Sequence, residues 1–446
     1  MEKPPQKSQN GYHTNSSKSI EAYGQDEKKK NGSAEGLSVL GAAVLVAGEM
    51  AGSGILALPK AVIDCGWPGL LLVLLFCLNA CYGGTKLGNC WAILEERYPE
   101  HKKATRDPYP TIAFRAVGRW GSTLVSACIQ VTLFGVAIVY LLLSAQIVQQ
   151  LLRELLPQVG YCLWFLIFAI VITPPMWLGS PKDFWIAGVG AVLTTAIACV
   201  LIFINMISDG IHNTEPVPHN PHSLTDFFFS FGTILFTYGG ASTFPTIQND
   251  MARRDKFYIS VAMGYVVVLA LYMPVVFAAF FVYGDAVNAN VVLSLSRGMF
   301  ASFANMLMAL HLILALLIVI NPVCQEIEEI FNVPHKFGGK RCLVRSLMVL
   351  LMIVVGETIP EFGKILALVG GSSITLCTFI LPPYFYMRLC DQKRADWPER
   401  LIPWYERGYM WVLIIIGLVG GVCCTYSAGH SILSANSLTT PCYWPD

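Results

Sequence analysis

The chain has 446 residues and a formal net charge of +1, with 54% hydrophobic and 13% charged residues. A soluble domain carries roughly 25% charged residues, so the composition excludes an ordinary soluble protein. The balanced charge gives no indication of a nucleic-acid partner. Long apolar runs between short charged patches are typical of a polytopic protein embedded in a lipid bilayer.

The N-terminal residues 1–36 are polar and include six lysines, a composition typical of a disordered cytoplasmic tail. The apolar run that follows is longer and richer in glycine than the apolar region of a signal peptide. We therefore expect it to remain in the mature protein as the first membrane span.

Apolar runs long enough to cross a bilayer as helices occur eleven times along the chain. The sequence thus predicts an all-α polytopic membrane protein with eleven transmembrane helices, numbered here as spans one to eleven. The predicted spans cover residues 38–63, 68–93, 120–150, 161–180, 184–208, 226–248, 257–283, 299–324, 342–359, 363–388 and 409–433.

The basic residues predict the orientation, because cytoplasmic loops of membrane proteins collect Lys and Arg. With the N-terminus inside, 25 of the 30 Lys and Arg residues fall on the cytoplasmic side and 3 on the outer side. We expect the N-terminus in the cytoplasm and the C-terminus outside. Both the plasma membrane and an endolysosomal or vesicular membrane fit this topology.

Span one contains the stretch GEMAGSGILALP, from Gly48 to Pro59. Each glycine lowers the stability of a helix by about 1 kcal/mol, so we predict an interrupted helix. Unwound backbone at membrane depth is tolerated only where it faces protein or water. Free N–H groups at the start of a half-helix attract anions, so those near Gly52, Ser53 and Gly54 are candidates for binding a carboxylate.

Glu49 is the one acidic residue deep within a predicted span. A charge at the bilayer centre costs on the order of 3 kcal/mol or more, a cost that a protonated carboxyl avoids. A carboxyl that gains and loses a proton is suited to proton coupling or to contact with a substrate amine. The alternative is a permanently neutral, hydrogen-bonded Glu49 that braces the unwound segment.

Span six contains a second interruption in the stretch LFTYGGASTFP, from Leu235 to Pro245. A proline follows Gly240 by five residues, as Pro59 follows Gly54 in span one. Span one begins a first set of five spans and span six begins a second set. Because five is an odd number, the second set crosses the membrane in the opposite direction to the first. Matching breaks in inverted halves indicate the central site of a transporter, whereas close helix packing through small residues is the structural alternative.

The predicted organisation follows from these spans. It comprises a tail (1–36), a first repeat of spans one to five (37–208), an outer loop (209–225), a second repeat of spans six to ten (226–390), a cytoplasmic loop (391–408), span eleven (409–433) and an outer C-terminal tail (434–446).

The fourteen cysteines show no metal-ligand spacing, and we expect no metal site. Three of them, Cys65, Cys162 and Cys442, fall on the predicted outer side. A disulfide among these three is one option there, and free thiols are the other.

Three segments carry a resemblance to a known family: GSGILALPKAVIDCGWPG (Gly52–Gly69), VTLFGVAIVYLLLSAQ (Val131–Gln146) and FGTILFTYGGASTFPTIQNDM (Phe231–Met251). With these segments, the chain resembles the amino acid/auxin permease family over residues 36–433. The resemblance implies a LeuT-like fold of five plus five inverted helices with one additional helix. It also implies secondary transport of amino acids, coupled to protons in most members and to sodium in some.

The resemblance further implies a set of site residues. Gly52, Ser53 and Gly54 would bind the substrate carboxylate, with Tyr238, Gly239, Gly240 and Ser242 on the opposite side near the amino group. In such a fold Gln130 of span three would face the core, where it would either hydrogen-bond the substrate or pack against neighbouring helices. Phe236 and Tyr238 are expected to limit substrate size.

Two positions depart from the family pattern. Many members have a neutral residue near Glu49, and many have a histidine where this chain has Ala241. In a LeuT-like arrangement span eight packs against span one, so His311, the one histidine deep in a span, would pair with Glu49 or stand near a sodium site. A packed histidine bonded to a carbonyl is the alternative.

The sequence therefore predicts a proton-coupled transporter of small neutral amino acids that works by alternating access. A sodium-coupled symporter and an amino acid sensor with little flux are the alternatives. We expect no enzyme activity, because no nucleophile motif or metal-ligand set is present, and no cofactor other than the coupling ion.

Overall fold

The computed structural model describes residues 36–102, 107–177, 184–212, 217–220, 223–334, 337–433 and 442, with the backbone alone for 184–189. The predicted N-terminal tail and the predicted outer tail, apart from Gly36 and Cys442, therefore lie outside the described residues. The same holds for positions 213–216 and 221–222 of the predicted outer loop.

The described part of the chain is helical, and its β-structure is limited to one isolated bridge between Leu37 and Met251. Helix occupies each of the predicted spans. The main helices are Val39–Met50, Ser53–Asp64, Trp67–Arg97, Pro108–Val117, Arg119–Leu152, Tyr161–Trp177, Phe184–His212, Leu224–Thr237, Phe244–Asn249, Phe257–Val282, Met299–Ile330, Gly339–Thr358, Phe362–Val369, Leu381–Asp391 and Trp404–Leu433.

Among the described residues, seven helices are long and apolar enough to cross a membrane, and eight if the bent pair Val39–Met50 and Ser53–Asp64 forms one span. Two further apolar helices, Tyr161–Trp177 and Leu224–Thr237, are shorter. These helices agree with a multi-pass membrane protein, while the count of eleven spans stays a prediction.

Span one is broken where its glycines predict a break. The helices on either side, Val39–Met50 and Ser53–Asp64, meet at an angle of 58°. A helix end leaves carbonyl oxygens without partners inside the helix. The hydroxyl of Tyr272 in span seven donates a hydrogen bond of 2.7 Å to one of them, the carbonyl oxygen of Met50. The break is therefore supported by a neighbouring span.

Span six is also broken, between Leu224–Thr237 and Phe244–Asn249. Its first half begins at a capping box formed by Ser223 and Asp226. Its second half has Pro245 in the first turn. Proline has no N–H group, but the N–H groups of the first turn have no partner within the helix, so no hydrogen bond is lost. The hydroxyl of Tyr265, again in span seven, donates to the carbonyl oxygen of Tyr238 at 3.4 Å.

Span ten consists of three consecutive segments rather than one α-helix. A π-helix, Gly370–Ile380, joins Phe362–Val369 to Leu381–Asp391. A Cβ atom at Gly370 would lie 2.0 Å from the carbonyl oxygen of Gly232 in span six. Only glycine fits this close approach of the two backbones.

Span eleven begins at Trp404, five residues before the predicted start, because its first turn is polar and hydropathy marks the apolar part alone. Glu406 in this turn forms an ion pair with Lys86 of span two. The Lys86 ammonium also lies 4.5 Å from the ring centre of Tyr386. These contacts attach span eleven to spans two and ten.

A disulfide joins Cys162, at the start of span four, to Cys442, with their Cα atoms 5.6 Å apart. The backbone N–H of Cys442 also donates to the carbonyl oxygen of Glu357 at 3.1 Å. Cys65, the third candidate, is a buried free cysteine whose thiol contacts the carbonyl oxygen of Phe227. The disulfide thus forms between two of the three predicted cysteines.

Candidate functional site

The two helix breaks pack against each other. A Cβ atom at Gly54 would lie 3.2 Å from the Cα atom of Thr237. A Cβ atom at Gly240 would lie 3.5 Å from Cβ of Glu49 and 3.1 Å from Cγ of Met50. The glycines allow this contact because they add no side chain between the two backbones. Residues almost 190 positions apart in sequence are thereby brought together.

An open cavity of about 730 Å³ leads to the breaks. Its wall includes Glu49 of span one, Gln130 of span three, and Ser242 and Thr243 of the second break. The cavity also extends along residues of the face that the sequence predicts to be cytoplasmic: His101, Asp107, Arg115, Asp250 and Glu326. A polar solute can therefore reach the broken helices from this face.

Three of the predicted site residues line this cavity: Glu49, Gln130 and Ser242. Glu49 lies directly before the end of the first half-helix and beside Gly240 of the second break. The side-chain oxygen of Gln130 is buried and has no hydrogen-bond partner among the described residues. Since buried polar atoms are normally paired, Gln130 has capacity to bind a ligand here.

A second set of polar residues lies at the break in span one and does not line the cavity. A Cβ atom at Gly52 would lie 2.7 Å from the hydroxyl of Tyr140 and 3.4 Å from Nε2 of His311. The Ser53 and His311 side chains are 1% and 2% exposed. Neither the Ser53 hydroxyl nor His311 Nε2 has a hydrogen-bond partner in the described part of the chain. The broken segment thus lies against buried polar side chains, two of whose polar atoms are unpaired among the described residues.

The Nδ1 atom of His311 is held by span five. It lies 3.0 Å from the carbonyl oxygen of Ala191 and 3.0 Å from the hydroxyl oxygen of Thr195. These partners match the alternative of a packed histidine bonded to a carbonyl. Glu49, the other partner that the sequence suggested for His311, is not among these hydrogen-bond partners.

Three other predicted site residues lie away from the cavity. Tyr238 is fully buried, and its ring centre lies 6.3 Å from that of Tyr265 in span seven. A Cβ atom at Gly239 would lie 2.6 Å from Cδ1 of Ile374, and Phe236 packs beside Gly370. In this structure these residues face spans seven and ten.

Sequence reasoning missed four residues that support or line the site: Tyr140, Thr195, Tyr265 and Tyr272. All four are polar hydroxyl residues inside apolar helices, which is the one signal the sequence offered. Tyr265 and Tyr272 are also seven residues apart, so they lie on one face of span seven.

Comparison with known proteins identifies the family of the chain. The family model for transmembrane amino acid transporter proteins matches residues 35–429. The chain is 25% identical to amino acid transporter AVT1B of Arabidopsis thaliana, a match that covers 86% of this chain and 69% of the relative. It is also 25% identical to lysine histidine transporter-like 1 of the same plant, over 83% of each chain.

Solved structures with low sequence identity show the same fold. MhsT in complex with L-phenylalanine aligns with a TM-score of 0.53 and 12% identity, over 88% of this chain and 99% of that chain. A variant of the Eremococcus coleocola manganese transporter aligns with a TM-score of 0.54 and 13% identity, over 90% of each. The all-helical fold is LeuT-like, and the chain belongs to the transmembrane amino acid transporter family.

Proposed function

We propose that this protein is a secondary active transporter of small neutral amino acids that works by proton-coupled alternating access. The observation that carries the proposal is the packing of two broken helices against each other at the end of an open cavity. Half-helices on either side of a break can tilt without breaking further backbone hydrogen bonds. A site between them can then be exposed first to one face of the membrane and then to the other.

The polar groups at the breaks suit a zwitterion. Gly52 and Ser53 lie at the start of the second half-helix of span one, where free N–H groups favour a carboxylate. Ser242 and the side-chain oxygen of Gln130 offer acceptors for an ammonium group. The charged groups of the cavity other than Glu49 belong to its cytoplasmic end, which favours a neutral substrate over a cationic or anionic one.

Glu49 is the proposed proton-coupling group. It lines the cavity, so water can deliver and remove its proton. It also lies against Gly240, so a change in its charge acts on both breaks at once. Protonation of Glu49 while the substrate is bound would neutralise its carboxylate and allow the half-helices to reorient.

The disulfide supports the proposed orientation. Disulfides persist in oxidising compartments and are rare in the cytosol. Cys162 lies at the predicted outer end of span four and Cys442 in the predicted outer tail, so the opposite, cavity-bearing face would be cytoplasmic. In both the plasma membrane and an endolysosomal membrane, these cysteines would lie on the side away from the cytosol.

Uptake of radiolabelled amino acids into proteoliposomes tests the proposal. We expect uptake of small neutral amino acids without sodium, faster at about pH 5.5 than at about pH 7.5 on the side of entry. At saturating substrate, where affinity does not limit the rate, Glu49→Gln should lose this acid stimulation while the protein remains folded. Glu326→Gln, which removes another carboxyl of the same cavity near its cytoplasmic end, is the matched control and should keep it.

Other outcomes would replace the proposal. Uptake that requires sodium, with Glu49→Gln behaving as wild type, would make Glu49 a bracing residue and the protein a sodium symporter. Amino acid binding without measurable flux would favour a sensor.

A further inference from the structure

The hydrogen bonds of His311 fix which of its ring nitrogens can titrate. Nδ1 lies 3.0 Å from the carbonyl oxygen of Ala191, and a carbonyl oxygen can only accept. Nδ1 therefore carries a hydrogen, and the Thr195 hydroxyl oxygen at 3.0 Å is a second acceptor for it. Nε2 is then the nitrogen that gains or loses a proton, and span five holds the ring in this orientation.

Nε2 points towards the broken segment of span one without a partner. The ring is 2% exposed, and Nε2 has no hydrogen-bond partner among the described residues. It lies 3.4 Å from the position of a Cβ atom at Gly52, and the hydroxyl of the next residue, Ser53, is also buried and unpaired among these residues. Buried polar atoms are normally paired, so two without partners at one helix break make this a candidate contact for a polar ligand.

The position of His311 Nε2 beside the broken segment identifies the part of the substrate that it would contact. The proposed function places the substrate carboxylate on the N–H groups of Gly52–Gly54. Neutral imidazole would present a lone pair to that carboxylate, which is repulsive. Imidazolium would present an N–H donor, which forms a strong, charge-assisted hydrogen bond.

The charged groups around His311 leave the substrate as the main counter-ion. Span one contributes Glu49, at the cavity side of the break, and span three contributes the hydroxyl of Tyr140. The acidic and basic side chains of spans three and five that the structure describes lie near the helix ends: Arg119 and Arg153 in span three and Asp209 and His212 in span five. The carboxyl groups of span eight itself, Glu326, Glu328 and Glu329, lie in its last turns.

We propose that His311 binds a proton at Nε2 and donates it in a hydrogen bond to the carboxylate of the bound amino acid. The inference rests on the proposed function and adds a second proton site, separate from Glu49, at which a proton and the substrate carboxylate meet. The proton comes from water, stays on Nε2 while the carboxylate is bound, and returns to water when the substrate leaves. Because the two ligands stabilise each other, each raises the affinity for the other by the same factor.

Equilibrium binding to the purified full-length protein tests the inference, with radiolabelled L-alanine and L-leucine and their primary amides as probes. We expect the affinity for the amino acids to rise about tenfold from about pH 7.5 to about pH 5.5. The amides lack the carboxylate, so their affinity should change much less. The amides are cations whereas the amino acids are zwitterions, so the charge of Glu49 acts differently on the two kinds of ligand. The comparison is therefore repeated with Glu49→Gln, in which the difference between amino acids and amides should persist.

Substitution provides the second measurement. His311→Gln keeps a hydrogen-bonding side chain without a titrating nitrogen, so it should bind amino acids with an affinity that no longer depends on pH. His430→Gln removes an exposed histidine at the end of span eleven and should retain the wild-type dependence.

Each result decides the inference. Equal pH dependence for amino acids and amides overturns it even where His311→Gln fails to fold. An unchanged pH dependence in folded His311→Gln overturns it as well, while acid-stimulated uptake by the wild type would leave the proposed function standing. Wild-type protein that neither binds nor takes up amino acids would contradict both.

Discussion

The hydroxyl of Tyr272 donates a hydrogen bond of 2.7 Å to the carbonyl oxygen of Met50, the last residue before the break in span one. Two helical turns earlier in span seven, Tyr265 donates to the carbonyl oxygen of Tyr238, where span six breaks. One face of a single helix therefore donates a hydrogen bond to a backbone oxygen at each broken span. Lipid hydrocarbon has no donor that could replace these hydrogen bonds.

Tyr272→Phe should destabilise the protein. The substitution keeps the ring but leaves the Met50 carbonyl oxygen buried without its donor, a change that costs about 1–3 kcal/mol. We expect a lower unfolding temperature in detergent and slower amino acid uptake. Tyr258→Phe, at an exposed position of the same helix, is the control and should match the wild type. An unchanged unfolding temperature for Tyr272→Phe would show that the hydrogen bond contributes nothing.

Gly54→Val should separate the two breaks. A Cβ atom at this position already lies 3.2 Å from Cα of Thr237, and the two methyl groups of valine need more space. Since displacement of a reacting or binding group by about 1 Å can reduce activity about 100-fold, we expect uptake to fall at least about tenfold. Gly429→Val is the control, because no atom lies within 4 Å of a Cβ atom there. Normal uptake by Gly54→Val would contradict the close packing of the breaks.

Glu328→Gln should reduce stability strongly. Glu328 and Arg345 are each 2% exposed and form an ion pair of 2.5 Å between spans eight and nine. Loss of one partner leaves the other charge buried and unpaired, which costs about 3–5 kcal/mol. Thermal unfolding in detergent measures the loss. The exposed pair of Glu154 and Arg297 provides the comparison, since Glu154→Gln should have no measurable effect.

Cys162→Ser should release Cys442 as a free thiol on the outer side of the membrane. In cells with the protein at the surface, a membrane-impermeant maleimide added outside should label the variant at Cys442 and leave the disulfide-bonded wild type unlabelled at this position. The double variant Cys162→Ser, Cys442→Ser is the control for labelling elsewhere. Labelling of Cys442 from the cytoplasmic side alone would contradict the proposed orientation.

The helix breaks could be predicted from the sequence because their cause is local. Gly52, Gly54, Gly239 and Gly240 weaken the helix where they stand, and Pro245 marks the start of the next segment. The orientation of Tyr238 could not be predicted in the same way. At a break the helical period no longer determines which way a side chain points, and Tyr238 turns to span seven.

The partners of His311 depend on which spans pack together, and the sequence does not contain that information directly. His311 does lie beside span one, with Nε2 3.4 Å from the position of a Cβ atom at Gly52. The hydrogen bonds of its ring, however, go to Ala191 and Thr195 of span five. Tyr140 was likewise missed, because a tyrosine in an apolar helix usually indicates packing.

Arg345 also donates a hydrogen bond of 2.6 Å from Nη1 to the carbonyl oxygen of Met176 in span four. Its guanidinium therefore joins three helices, with Nε and Nη2 on Glu328 and Nη1 on Met176. Lysine carries the same charge but lacks this planar fork of donors. A natural variant with lysine in place of arginine at position 345 would usually be called conservative. Because lysine cannot contact both Glu328 and Met176 with a planar fork, we expect this variant to damage the protein.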